Sequence, residues 1–128
     1  MRTIYKPHTS TTKQKIMNSL RNKVQLIGRL GQDPEIKTFD NGGKTARFSI
    51  ATDDSYKDKD GNRVERVYWH NIVVRNGLVN IIEKYVQKGH EIGIEGKLTN
   101  RTWDDKDGKR HYITEIVAGD ILLLQKKD

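Results

Sequence analysis

From Lys23 the chain follows the two-residue rhythm of a half-buried strand. In KVQLIGRL, Val24, Leu26 and Leu30 recur on one face, and Gly28 fills that face's remaining position. A glycine there predicts a bulge or bend, as at the corner of a barrel. GQDPE breaks the run, because Pro34 cannot join a central ladder. DNGG at Asp40–Gly43 then signals a turn. TARFSIATD places Ala46, Phe48 and Ile50 on one face, and RVYWHNIVV is rich in the β-branched and aromatic residues of a strand. After Asn76–Gly77 the period becomes helical: Leu78, Ile81, Ile82 and Tyr85 recur at three- and four-residue spacings, and Gly89 stops the helix. Alternation returns in EIGIEGKL, where Ile92, Ile94 and Leu98 share a face. HYITEIVAG and ILLL supply a closing strand with a bend near Gly119–Asp120.

The order is strand, strand, strand, helix, strand, strand. It predicts an all-β domain of the OB-fold type, a five-stranded Greek-key barrel with one helix between strands 3 and 4. At 128 residues the chain has room for one domain with a modest core. Residues 1–16, MRTIYKPHTSTTKQKI, are basic, Thr-rich and free of acidic residues. Burial there cannot offset the entropy of ordering, so residues 1–19 read as a disordered extension and 20–125 as the folded domain. The extension has too few arginines and no amphipathic face for a transit peptide; it reads as a leader, with Met17 an alternative start.

Charge narrows the partner. The net charge of +7 points to a polyanion, either nucleic acid or an anionic membrane surface. The absence of cysteine excludes disulfides, thiolate nucleophiles and cysteine-based zinc sites. No apolar run approaches the roughly 20 residues of a membrane helix, and the amino end lacks the apolar core of a signal peptide. A cytoplasmic protein is expected, with no cofactor and no metal.

The tetrapeptide DKDG occurs twice, at Asp58–Gly61 and Asp105–Gly108. As calcium loops both copies fail at the same places: with the glycine at position 6, Tyr56 and Trp103 fall at position 1, and Val67 and Thr114 at position 12. No longer self-similarity surrounds them, so a repeat architecture does not account for them. Asp followed closely by Gly suits the tips of two hairpins, one between the second and third strands and one between the fourth and fifth. The flanks carry the chemistry. Tyr56, Lys57 and Lys59 lie on the first hairpin, and Arg101, Trp103, Lys109 and Arg110 on the second. Planar groups beside cations suit an unpaired nucleic-acid strand, whose bases stack and whose phosphates pair. Trp69, in an apolar strand, reads as core on this evidence alone.

Several long blocks resemble, in order and spacing, the bacterial single-stranded DNA-binding protein family. They are NKVQLIGRLGQDPEIK, NGGKTARFSIAT, YWHNIVV, EKYVQKG and IEGKLTNRTW, spanning Asn22 to about Val117. The resemblance implies an OB-fold that forms a homo-oligomer, with a tetramer favoured over a dimer. It implies sequence-independent binding of single-stranded DNA in replication, recombination and repair, without catalysis and beside the bacterial nucleoid. It assigns stacking to Tyr56, Trp69 and Trp103, which moves Trp69 to the binding face. It assigns phosphate contacts to Lys23, Lys57, Lys59, Lys88 and Arg101, joined by Arg110 from the second hairpin, and a subunit contact to His70. Arg75 or, with a one-residue shift, Asn76 stands where members often place another aromatic; arginine is planar and can stack. Gly93 stands where members often carry a larger residue, at a tetramer contact. The chain ends QKKD without the family's acidic, Phe-ending tip, so recruitment of protein partners by a tail is not expected.

Rival classes are weaker. The histidines have no cysteine beside them, and neither HExxH nor a glycine-rich phosphate loop occurs. A nuclease on this fold, a primosome accessory protein and an RNA binder of the cold-shock kind are the alternatives. A membrane-surface protein would need a basic amphipathic helix, and LVNIIEKYVQK has too little charge.

Overall fold

In the computed structural model the described residues are 20–124, so the extension expected over 1–19 lies outside them. The elements in chain order are β1 (Val24–Leu30), β2 (Glu35–Thr38), β3 (Lys44–Asp53), β4 (Tyr56–Lys57), β5 (Arg63–Val64), β6 (Val67–Arg75), α1 (Gly77–Tyr85), β7 (Glu91–Asp104) and β8 (Arg110–Leu123). Five of the strands close into a ring, β1–β7–β8–β6–β3, which returns to β1 through a β1–β3 pairing. Every contact in the ring is antiparallel except β6 against β8. With α1 between the third and fourth barrel strands, this is the OB-fold.

Alternation explains the core. Ala46, Phe48 and Ile50 of β3 face inward with Ile72 and Val74 of β6, Ile92 and Ile94 of β7, and Ile116 and Ala118 of β8. The corner at Gly28 appears where the pattern placed it. There β1, still paired with β7 through Arg29↔Glu91, also meets β3 at Arg29↔Ala51 and Leu30↔Ile50. The strands approach so closely that a Cβ on Gly28 would lie 2.7 Å from the Ala51 carbonyl oxygen.

Three features depart from the sequence reading. The segment after Pro34 is a short edge strand, β2, paired with the start of β3, where a break was expected. The helix is shorter and rotated: α1 ends at Tyr85, well before Gly89, and buries Val79 and Ile82 while Ile81 and Tyr85 are exposed. Val86, just past the helix in extended backbone, completes that buried face. Leu98 does not share the core face of Ile92 and Ile94. A bulge at Glu95/Gly96 shifts the register, and beyond it β7 pairs with β8 alone, with Leu98 exposed, until past Glu115 the two strands run on as a two-stranded ribbon.

Candidate nucleic-acid interface

The two DKDG segments form the same turn. In each, the first aspartate closes the loop: Asp58 N–H donates to Asn62 O at 2.9 Å, and Asp105 N–H to Lys109 O at 2.9 Å. The Asp58 carboxylate accepts from the N–H groups of Asp60 and Asn62, and that of Asp105 from Asp107 and Lys109, all at 2.9 Å. Gly61 and Gly108 take φ of +84° and +81°, the left-handed geometry that glycine adopts without strain. The first acidic side chain of each copy thus serves its turn, and the flanking residues project from the two hairpins. At the second tip Asp105 also meets His111 Nε2 at 2.8 Å. The His111 hydrogen bond, with those from the Lys109 and Asp107 backbones, holds the Asp105 carboxyl below the ordinary carboxylate range.

Each expected aromatic is exposed and held by a named neighbour. Trp69 on β6 is 59% exposed although its strand is apolar, since it points outward from the barrel. Its ring lies over Gly31, where a Cβ would come within 2.6 Å of Trp69 Cη2. Tyr56 starts the β4–β5 hairpin, with the Arg66 guanidinium carbon 4.9 Å from its ring centroid. Trp103 lies on the β7–β8 ribbon opposite His111; their rings stack at 5.1 Å, 16° from parallel. The Arg101 guanidinium carbon is 5.0 Å from the Trp103 ring.

The cations fall into two sets. Some are already paired. Arg101 donates from Nε and Nη2 to Glu115, each at 3.3 Å, and Arg47 reaches the same carboxylate at 3.4 Å. Glu115 is nearly buried, so it holds both guanidinium groups at one place on the outer face. Lys23 pairs with Glu95 at 3.3 Å and Arg110 with Asp104 at 3.3 Å. Gln25 and then Lys23 keep the Glu95 carboxyl below its usual range. The second set, Lys57, Lys59, Arg75 and Lys88, has no ion pair among the described residues. The Lys88 backbone N–H donates to Asp33 at 2.8 Å, which seats it beside the loop under Trp69.

Two depressions link these groups. One is lined by Gln32, Ser49 and Asn71 near Trp69 and runs to Arg47, Arg101 and Glu115. The other gathers Lys23, Arg75 and Lys97 around Glu95 and Asp120. Arg75 therefore lies in a basic cleft with Lys23, not against another aromatic. Arg47, Arg66, Lys97 and Glu115 were not foreseen. Arg47 was open to notice, as a polar residue on the outward face of TARFSIATD; Glu115 was not, because its partners are brought to it only by the barrel. His70 is half-buried, with Nε2 3.0 Å from Thr52 Oγ1.

A closed barrel with outward aromatics and cations on its hairpins and one face has the build of an oligonucleotide-binding OB protein as a class. The model of the "Single-strand binding protein family" matches residues 21–124. The chain is 46% identical over 107 residues to "Single-stranded DNA-binding protein 1" of Xylella fastidiosa, covering 83% of this chain and 79% of that one. It is 45% identical over 108 residues to the protein of that name from Chlorobaculum tepidum, covering 84% and 67%. Among solved structures it matches "Plasmodium falciparum SSB complex with ssDNA" at 35% identity and a TM-score of 0.74, over 81% of this chain and 95% of that one. The chain belongs to the single-strand binding protein family.

Proposed function

We propose that this protein binds single-stranded DNA without regard to sequence, as a non-catalytic partner in replication, recombination and repair. The observation that carries the proposal is the exposure of Trp69, Tyr56 and Trp103 on three separate elements, with a guanidinium group beside each of Tyr56 and Trp103. Stacking accepts any base, and phosphate pairing accepts any sequence. In this reading Trp69, Tyr56 and Trp103 stack, while Lys23, Lys57, Lys59, Lys88, Arg101 and Arg110 meet phosphates. Arg75 either stacks or pairs. Arg110, Lys23 and Arg101 must exchange their carboxylate partners for phosphate or share them with it. The protein acts in the cytoplasm beside the nucleoid; no helix among the described residues is long and apolar enough to cross a membrane.

It acts as a homo-oligomer, with a tetramer favoured. Supporting this is an outward apolar patch, where the exposed Ile27 and Leu122 flank Gly93 on β1, β7 and β8. His70 is the second candidate contact. Titration with oligo(dT) should quench the emission of Trp69 and Trp103, and affinity should fall with salt at a log–log slope of about −0.7 per phosphate neutralised. Duplex DNA should bind far more weakly, and light scattering should give a multiple of the chain mass. A preference for duplex, or for RNA over DNA, would replace this reading with one of its rivals; a monomer at micromolar concentration would remove the oligomer.

A further inference from the structure

We propose that the β2–β3 hairpin adds a nucleotide subsite in which Phe39 stacks a base and Lys37 and Arg47 hold its phosphates. The inference rests on the single-strand reading and extends it to residues outside the three aromatics above. Phe39 follows β2 and is 45% exposed, although it is one of only two phenylalanines in the chain and the other, Phe48, is core. The core does not use it, yet its backbone is pinned. Phe39 N–H donates to Gly43 O at 2.8 Å, its carbonyl accepts from Gly42 N–H at 2.9 Å, and Asn41 Oδ1 accepts from Gly43 N–H at 2.9 Å. A large apolar ring held out on a stiff turn is prepared to bind something flat.

Its surroundings specify what. Lys37 Nζ lies over one face of the ring, 5.5 Å from its centroid, so a base would stack on the other face with the ammonium within reach of its phosphate. Phe39 and Lys37 line a groove of about 580 Å³ with Thr45, Arg47 and Arg101. Arg47 and Arg101 also line the depression that runs toward Trp69, and Glu35 lines both. The two grooves are therefore one path, which leads a strand from Trp69 past the arginine pair to the hairpin. Against the positive charges of Lys37, Arg47 and Arg101 stand the carboxylates of Asp33, Glu35 and Glu115 along the whole path. The cationic part of the path is its hairpin end, where Lys37, Arg47 and Arg101 line the groove with Glu35 as the one acidic residue.

Two measurements test this. Phe39→Ala should weaken oligo(dT) binding roughly five- to 150-fold, the cost of one lost stack, with an unchanged melting temperature. Lys37→Ala should reduce the salt slope by about 0.7. Independently, 4-fluorophenylalanine labelling gives two fluorine resonances, assigned by Phe39→Ala. The Phe39 resonance should move on adding oligo(dT) and stay still with an abasic oligomer of equal length, while that of Phe48 should not respond. If wild type binds oligo(dT) but Phe39→Ala binds equally well, or the abasic strand gives the same shift, the subsite does not exist. If wild type fails to bind any single strand, it is the underlying single-strand reading that falls.

Discussion

Trp69→Ala combined with Trp103→Ala should weaken single-strand binding by about 2–6 kcal/mol, since each stack is worth roughly 1–3 kcal/mol. The effects should add because the two rings share no partner. Trp69 rests on Gly31, while Trp103 is held by His111 and Arg101. Neither ring is in the core, so the double variant should keep its far-ultraviolet circular dichroism and its melting temperature. Anisotropy of a fluorescein-labelled oligonucleotide reads the loss without relying on the missing tryptophans. A variant that unfolds while its folded fraction binds normally would make the two tryptophans structural.

The second large effect concerns stability. Gly28→Val places a side chain where even a Cβ would sit 2.7 Å from a backbone oxygen and 3.2 Å from Ile50 Cβ. A neighbouring backbone cannot step aside cheaply, so the β1–β3 closure must open. The expected loss is about 2–3 kcal/mol, a fall in melting temperature on the order of 10–20 °C for a domain near 100 residues. Gly77→Ala is the matched control. Nothing lies within 4 Å of its Cβ position, at the start of α1, so stability should hold or rise by up to about 1 kcal/mol. Equal melting of Gly28→Val and wild type would mean that the barrel does not close at that glycine.

Much of this was legible in the chain because a barrel strand reports its burial every second residue. The β3 pattern Ala46–Phe48–Ile50, the corner at Gly28 and both DKDG turns could all be read locally. β2 could not, since EIKT offers one apolar residue behind a proline. The face of α1 was misread for a related reason: the helix stops after nine residues, and Val86, beyond its end, takes up the burial given to Tyr85. At the candidate site, aromatics in polar stretches were visible, and the family blocks carried Trp69 with them. The meeting of Arg47, Arg101 and Glu115 is tertiary, with 68 residues separating Arg47 from Glu115. Phe39 was hidden differently: no element was read between GQDPE and DNGG, and only the fold shows its ring exposed on a pinned turn.

The spacing of Tyr56, Trp69 and Trp103 over a hairpin, a barrel strand and a ribbon also governs how a bound strand would leave. No single element holds all the grip, so release need not cross one tall barrier. A strand can lift from one aromatic while the others keep it, and each such step crosses only the cost of a single stack. An invading strand can occupy the vacated ring before the first returns, which makes departure faster when competitor is plentiful. Stopped-flow chases with rising unlabelled oligo(dT) should therefore show a dissociation rate that climbs with competitor concentration; a rate independent of competitor would mean the strand leaves all at once.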